Sequence, residues 1–488
     1  MTINQIITQF KENNPKADTT MIQLAFEFAQ KAHADQKRKN GEPYIQHSLH
    51  TAFVLTQIKA DLETVVAGLL HDIPEDTEYA LSDIEKNFGK EVADLVEGIT
   101  KLSKLKYRGV ERYSESLRKM FLAMAKDLRV ILIKFADRLH NLRTLESLPL
   151  EKRLRIAKET LEIYAPIAGL LGVFRLKWQL EDICFKHLYP EEYKKLEYKY
   201  EVEKKYEHNQ YIQKTKNILG TKLKEAKIPF QITSRFKHLY SIYLKMQKKD
   251  RKFDEIYDVF AMRVVVPNIA DCYKTLGIIH SLWRPNPSRF KDYIAVPKPN
   301  GYRALHTTVY GPEGKSCEFQ IRTKEMDEEA KYGIAAHWYY KIKSGGGSIG
   351  QPVWVKEVLK IQKDTEDTLD FIKQIKFDVF RDRIFVFTPK GDVFDLPEGS
   401  TPIDFAYYVH SDIGNQAVGA MVNDKIAPLD QGLKNGDLVE IITEKKRKGP
   451  NRDWLKFVKT ATARNKIKQN LKSTMLDNIK RLIPNIKK

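Results

Sequence analysis

In GLLHDIPEDT, residues 68–77, an apolar run ends in His71-Asp72, and a second acidic pair, Glu75-Asp76, follows across Pro74. Adjacent side chains point in different directions. Both can still reach one ion if the helix stops there, and Pro74 helps to stop it. Two other segments offer further ligands: GEPYIQH ends at His47, and IKFADRLHN carries Asp137 after an apolar run. Two imidazoles and two carboxylates form a borderline donor set suited to Mn²⁺, Fe²⁺ or Zn²⁺. An ion so held lowers the pKa of a bound water from about 16 towards about 7. Glu75 and Asp76 would sit beside that water to orient it and to handle protons. The chemistry indicated is metal-assisted hydrolysis. Asp137 and Asn141 are four apart and share one helical face, with His140 a rival ligand to Asp137. His33 continues the row Ala25, Ala29 at four-residue spacing and reads as packing rather than as a ligand. A His-Asp dipeptide alone is common in proteins that bind no metal, so the combination carries the reading.

A second set of residues lies further along. RFKHLYSIYLKM (235–246) presents cations at a helix start, and DVFAMRVVV (258–266) brings an acid to the mouth of a strand. RFKDYIAVPKPNGYRALHT (289–307) is a loop rich in Lys, Tyr, Gly and Pro. CEFQIRT (317–323) alternates, so Glu318, Gln320 and Arg322 share one face while Cys317, Phe319 and Ile321 share the other. Phosphoryl-group transfer explains this mixture. Two acids can hold Mg²⁺ over phosphates, cations neutralise the spreading charge, and an aromatic ring can stack on a base. No GxxxxGK[ST] is present, which excludes a P-loop enzyme. Any single Lys or Arg is by default a solvated surface residue, and Glu318 on an alternating strand is by default on an exposed polar face.

The elements that must position these groups change along the chain. Residues 1 to about 195 read as helices: Asp18-Thr19-Thr20 is an N-cap, Met21, Leu24, Ala25, Phe28 and Ala29 recur at helical spacing, and 61–71, 115–145 and 151–175 repeat the pattern. Residues 196–227 are a charged helical connector. AMRVVV (261–266), TTVYG (307–311) and CEFQIRT are short and β-branched with helical stretches between, so 228–343 reads as a mixed α/β domain. SGGGSIG (344–350) is a flexible break, followed by a helix at about 353–376. Residues 383–443 return to short strands: RIFVFTPKGDVFDLP holds a hairpin turn, and GDLVEIIT closes the unit. The tail from 444 to 488 is dense in Lys and Arg.

Composition sets further bounds. The 488 residues suffice for two to four domains, and a formal net charge of +19 suggests polyanionic partners such as nucleotides, RNA or an acidic surface. Cys184, Cys272 and Cys317 are far apart and form neither a disulfide framework nor a zinc knuckle, which fits a reducing compartment. No apolar run approaches the ~20 residues that span a membrane. The start, MTINQIITQFKENN, lacks the features of a signal peptide. A cytoplasmic protein without a membrane partner is expected.

RKNGEPYIQH (38–47), HDIPEDT (71–77) and KFADRLHNLRTL (134–145) together closely resemble the HD hydrolase domain of the RelA/SpoT homologue family, whose members make and destroy the alarmones ppGpp and pppGpp. The resemblance implies that His47, His71, Asp72 and Asp137 bind Mn²⁺, and that Glu75 and Asp76 act in attack on the 3′-pyrophosphate. It implies that Arg38, Lys39, Asn141 and Thr144 hold the nucleotide. Some members have lost the Glu-Asp pair and hydrolysis with it; here the pair is intact. Ser48 stands where the family often has Pro, which should affect the turn more than the chemistry.

The second set resembles the family's synthetase domain, which transfers the β,γ-pyrophosphate of ATP to the 3′-oxygen of GDP or GTP. By that likeness Asp258 and Glu318 bind Mg²⁺, and Glu318 also takes the 3′-hydroxyl proton. Arg235 and Arg263 clasp the adenine. Lys237, Ser241 and Lys291 hold the ATP phosphates. Tyr302 stacks on guanine, with Asn300, Lys298 and His306 nearby and Tyr293 in the same loop. Arg289-Phe290-Lys291-Asp292 matches the basic RxKD form of bifunctional members. Arg303-Ala304 replaces the Gln-Ser of many relatives, although Tyr302 is kept. Residues 383–443, through TPIDFAYYVHSDIG, resemble the TGS domain, which suggests that His410 contacts the CCA end of uncharged tRNA on a stalled ribosome.

The likeness covers about residues 1–470 and implies a multidomain architecture. Its parts are an all-α HD hydrolase domain (1–195), an α/β nucleotidyltransferase-like synthetase domain with its helical connector (196–343), a linker and helix (344–382), a small β-grasp-like TGS domain (383–443) and a basic helical tail (444–488). Long members continue with further modules and an ACT domain; this chain stops before them. Running both activities at once would waste ATP, so the two sites are expected to be coupled through the helices at about 150–227. The rival expectations are a ribosome- or tRNA-binding regulator with relic sites, and a hydrolase whose second site only senses guanine nucleotide.

Overall fold

The computed structural model describes residues 1–103, 126–206, 208–249, 260–298, 300–333, 383–447 and 449–482, with the isolated positions 120, 123, 361, 374, 377 and 378. The break at 344–350 and almost all of the helix expected at 353–376 lie outside the described residues. Two compact units form: residues 1–105 with 126–350, and residues 106–125 with 351–488.

The first unit begins with helices α1 (Ile3–Asn13), α2 (Thr20–Ala32), α3 (Ile45–Gln57), α4 (Leu62–Leu70), α5 (Ile73–Asp76), α6 (Leu81–Phe88), α7 (Lys90–Ser103) and α8 (Arg129–Arg143). Asp18 accepts the backbone N–H of Thr20 at 2.9 Å, which starts α2 where Asp18-Thr19-Thr20 signals it. Helix α4 is buried on every side from Thr64 to Leu70, as its unbroken apolar run requires. Asp61 caps it by accepting from Thr64 N–H at 2.8 Å and is itself paired with Arg129 at the start of α8, 3.1 Å away. Helix α3 packs on both α4 and α8. It approaches α4 so closely that a Cβ at Gly68 would meet the Leu55 side chain. Pro74 does not end α4. The helix stops at Leu70, and Pro74 sits in the first turn of α5, where its missing N–H leaves no bond unmade.

Helix α9 (Leu150–Glu159), a π-helical turn (Thr160–Tyr164), α10 (Ala165–Leu170) and α11 (Phe174–Leu188) follow, and the charged connector is two helices, α12 (Pro190–Tyr206) and α13 (His208–Glu225). Strand β1 (Gln231–Phe236), α14 (Leu239–Lys249), β2 (Phe260–Val266), α15 (Ile269–Leu282), β3 (Lys291–Asp292), β4 (Leu305–Tyr310), β5 (Ser316–Thr323) and α16 (Lys324–Tyr332) complete the unit. The sheet runs in the order β1-β2-β5-β4-β3. β2 and β5 are parallel and the other neighbours antiparallel. One face packs Met262, Val264, Leu305, Phe319 and Ile321 against Leu219, Leu223 and Ile279 of α13 and α15. The alternation of β5 therefore leaves Glu318, Gln320 and Arg322 on the opposite face.

The second unit holds a hairpin of β6 (Arg383–Phe387) and β7 (Val393–Pro397), helices α17 (Pro402–Val409) and α18 (Ser411–Gln416), a sheet ordered β10-β8-β9 from β8 (Ala417–Val422), β9 (Lys425–Ala427) and β10 (Val439–Thr443), and α19 (Ala461–Leu482). Asp404 is fully buried where these parts meet. Its carboxylate accepts from Thr401 N–H and hydroxyl at the start of α17, and from Lys459 N–H, Thr460 N–H and the Thr460 hydroxyl before α19. Asp404→Ala would strand these donors and should destabilise the second unit by about 3 kcal/mol in denaturant unfolding.

Candidate active sites

Helices α3, α4 and α8 bring the first set together. His47 lies in the first turn of α3, His71 and Asp72 close α4, and Asp137 is on the inner face of α8. Ligand atoms of His47, His71 and Asp137 all lie within 4.8 Å of one another, and all three residues are buried. Asp72 faces them: Oδ1 is 3.2 Å from His71 Nε2 and Oδ2 is 3.4 Å from His47 Nε2. His47 Nε2 is also 3.2 Å from Asp137 Oδ1.

The surroundings fix which nitrogen each imidazole turns inward. His71 Nδ1 donates to the Gly68 carbonyl at 3.0 Å, so Nε2 faces the cluster, buried and without a hydrogen bond. His47 Nδ1 lies 2.8 Å from His140 Nδ1, which also faces Arg38 Nη1 at 2.8 Å. A guanidinium can only donate, so His140 Nδ1 accepts, and His47 keeps its own proton on Nδ1. Burial first, then His47, His50 and Arg38, hold His140 down to about 2, so it is neutral. His140 therefore stands behind His47 as its acceptor, and Asp137, not His140, falls in the group of atoms that could hold an ion. Burial pushes the Asp72 carboxyl up, but His71 and His47 outweigh it and hold it well below the usual range. Burial acts the same way on Asp137, where Lys134, His47 and His71 win. Burial opposes charge on His71, yet Asp72 and Asp137 lift it to about 9. An open imidazole nitrogen among two ionised carboxylates fits a divalent cation.

Lys134 and Tyr44 are absent from the sequence reading. Lys134 Nζ donates to Asp137 Oδ2 at 2.8 Å, one helical turn away, while Asn141 donates to Asp137 Oδ1. The Tyr44 hydroxyl lies within hydrogen-bond reach of both Asp72 Oδ2 and Asp76 Oδ2 and shares its one proton between them. Lys134 sits three residues before Asp137, whereas the partners of the Tyr44 hydroxyl lie on another stretch of chain, so spacing marks neither residue until its partner is seen. Glu75 and Asp76 are exposed on α5, beside the cluster. Arg38 reaches Asn141 at the rim, Thr144 caps α8, and Lys39 is exposed. His33 is buried and stacked on Tyr44 at 4.6 Å, outside the ligand group. Ser48 lies buried inside α3 rather than at a turn.

The second set borders a cleft of about 430 Å³ lined by Lys237, Ser241, Tyr293, Lys298, Tyr302, His306, Gln320 and Arg322. Glu318 sits among donors: Gln320 Nε2 at 3.0 Å, His306 Nδ1 at 3.4 Å and Lys237 Nζ at 3.6 Å. Burial would raise its carboxyl, but His306 and Lys237 hold it far below the usual range. The polar face of β5 is thus the floor of a cleft, not a solvated surface. Tyr302 hydroxyl lies 2.7 Å from His306 Nε2, and Lys298 Nζ sits 4.9 Å over the Tyr293 ring. Arg263 and the buried Arg322 both face Asp327 Oδ1, at 3.4 and 3.0 Å. Lys291 is exposed on β3, paired with His306. Asn300 donates to the Gly169 carbonyl and accepts from Tyr302 N–H, so it fastens the loop. Asp258 and the Arg235 side chain lie outside the described residues. Phe174, Lys177 and Trp178 of α11 also line the cleft, which sequence spacing gives no means of seeing. In the second unit His410 is exposed between α17 and α18 and accepts the Asp412 N–H at 3.2 Å.

Three family descriptions match the chain in order: HD domain over residues 25–174, region found in RelA/SpoT proteins over 234–345, and TGS domain over 384–443. A GTP pyrophosphokinase of Streptomyces coelicolor is 47% identical over 478 residues, covering 93% of this chain and 56% of its own. A probable guanosine-3′,5′-bis(diphosphate) 3′-pyrophosphohydrolase of Synechocystis is 45% identical over 96% of this chain and 62% of its own length. The bifunctional (p)ppGpp synthase/hydrolase SpoT of Escherichia coli is 46% identical over 481 residues, 97% of this chain and 68% of its own. The chain therefore spans between 56% and 68% of the length of these relatives. With an HD domain whose described elements are all helical, a mixed-sheet RelA/SpoT region and a TGS domain joined in that order, the chain belongs to the RelA/SpoT family.

Proposed function

We propose that this chain both makes and destroys (p)ppGpp. The observation that carries the proposal is that one compact unit holds two separate acid-centred sites of different chemistry, the buried His/Asp cluster and the cation- and aromatic-lined cleft around Glu318. In synthesis the 3′-oxygen of GDP or GTP attacks the β-phosphorus of ATP, the bond between that phosphorus and the bridging oxygen to the α-phosphorus breaks, and AMP leaves. Glu318, held ionised by its neighbours, takes the hydroxyl proton. Lys237, Ser241 and Lys291 neutralise the phosphates, Arg235 and Arg263 clasp adenine, and Tyr302 stacks on guanine beside Asn300, Lys298 and His306. In hydrolysis a water oxygen attacks the phosphorus joined to the 3′-oxygen, and that bond breaks to give GDP or GTP and pyrophosphate. Glu75 and Asp76 orient the water and handle its proton, while Arg38, Lys39, Asn141 and Thr144 hold the nucleotide.

His47, His71, Asp72 and Asp137 would hold Mn²⁺, and Asp258 with Glu318 would hold Mg²⁺. Such ions supply charge neutralisation, and at the first site an acidified water. The exposed His410 would meet the end of an uncharged tRNA on the ribosome, supported by the match to a TGS domain. No helix among the described residues is long and apolar enough to cross a membrane, which suits a cytoplasmic enzyme.

Incubation with ATP and GDP in Mg²⁺, then with ppGpp in Mn²⁺, should show both reactions. Asp72→Ala should abolish hydrolysis and leave synthesis, and Glu318→Ala should do the reverse; loss of both from either change would refute separate sites. Because Asp72 and Asp137 lift His71 to about 9, an incoming cation displaces its proton near neutrality. Mn²⁺ affinity, followed by calorimetry, should therefore climb about tenfold per pH unit from neutral pH and level off near pH 9. The two sites are coupled through α11, which also walls the cleft. A non-reactive ATP analogue in the cleft should slow ppGpp hydrolysis, and an unchanged rate would refute the coupling.

A further inference from the structure

The proposed hydrolytic site has two parts on different footing. The cation cluster sits on long buried helices, whereas Asp76 is exposed on α5, a helix of four residues. A short exposed turn does not by itself fix a carboxylate, and a misplacement of about 1 Å in a reacting group can cost about a hundredfold in rate. Something must hold Asp76 in register with the cluster.

Tyr44 is placed to do so. Its hydroxyl lies 2.8 Å from Asp72 Oδ2 and 2.6 Å from Asp76 Oδ2. The ring is anchored without help from the hydroxyl. It stacks on buried His33, with centroids 4.6 Å apart and planes 20° apart, and its edge meets His47 at 6.0 Å. His33 Nδ1 is 2.7 Å from Gln36 Oε1, and the Gln36 amide donates to the Asp76 carbonyl. The backbone of Asp76 is thus tied to the stack that carries Tyr44, and its carboxylate to the Tyr44 hydroxyl.

A phenol has one proton to donate, so Asp72 and Asp76 compete for it. A cation held by Asp72 would weaken that carboxylate's pull on the proton and favour the bond to Asp76. We propose that the Tyr44 hydroxyl is a positioning group that orients Asp72 for the cation and holds Asp76 at a set distance from it. Proton handling is then registered to the cation rather than to the mobility of a surface turn. This rests on the hydrolase reading above.

Tyr44→Phe tests it, since the ring and its stack on His33 remain. The variant should melt with the unaltered chain and transfer pyrophosphate from ATP to GDP at the same rate. Its Mn²⁺ affinity by calorimetry should weaken about tenfold. At saturating Mn²⁺ the kcat for ppGpp should fall about 10–100-fold while KM stays unchanged. Mn²⁺ affinity and kcat both at the level of the unaltered chain would overturn the proposal. So would equal loss of both activities with a lowered melting temperature, which would mark Tyr44 as mere packing. If the unaltered chain does not hydrolyse ppGpp, the hydrolase reading falls, and Mn²⁺ titration of the two proteins still decides the role of Tyr44.

Discussion

Charge balance in a buried pocket is the constraint on which the helical half of the first unit depends. Asp72 and Asp137 are ionised beside two imidazoles where water has little access, and isolated charges there would cost several kcal/mol each. Lys134 answers Asp137, and His71 takes a proton readily because both carboxylates face it. The same requirement makes His140 neutral: with Arg38 already pressing on it, a second positive ring behind His47 has no compensation. The cluster is therefore stable only as a set, and the set is one cation short of neutralising both carboxylates without protonating a ligand. A divalent ion resolves that conflict, which explains why this geometry suits one.

The second site solves the related problem of a single carboxylate on a strand. Glu318 is held ionised by Lys237 and His306 from two other segments, so its charge survives burial. The sheet makes this possible through its period of two. Cys317, Phe319 and Ile321 point into the apolar core, which leaves Glu318, Gln320 and Arg322 no option but the cleft. Arg322 would be ruinous there alone, yet Asp327 lies 3.0 Å from its Nε and also faces Arg263. One acid thereby faces two guanidiniums, of which Arg322 lines the cleft.

Much of this was legible in the sequence because it is local. The polar end of α4, the four-residue spacing of Asp137 and Asn141, and the alternation of CEFQIRT each follow from a single period. The strands of the mixed-sheet region and of the TGS domain were equally marked by β-branched runs and turn residues. What escaped was relational. His140 could not be separated from Asp137 by spacing, since residues three apart on a helix share one face and differ only in which neighbour they meet. The contact of His140 with His47 Nδ1 distinguishes the two, and it depends on how α3 crosses α8. Tyr44 and Lys134 have the right spacing to ligands, but a Tyr or Lys at helical spacing has no special mark until its partner is seen. Phe174 and Trp178 belong by sequence to the helical part and by contact to the cleft, a fact that no pattern along the chain encodes.

That shared helix gives the two sites a physical reason to sense each other. Helix α11 packs on α8, which bears Asp137, and its other side meets the cleft. Phe174 lies edge-on to Tyr302 at 6.3 Å, Glu181 accepts from His238 at 2.8 Å, and Asp182 accepts from Tyr240 N–H at the start of α14. The loop before α11 is equally constrained. A Cβ at Gly333, beyond α16, would overlap the Leu171 carbonyl, so the two halves touch backbone to backbone. Close-packed contacts of this kind transmit displacement because they cannot be compressed. A displacement of Phe174 away from Tyr302 would carry α11 with it and alter its contact with the helix that carries Asp137. One helix is thus wall to the cleft and support to the helix that bears Asp137.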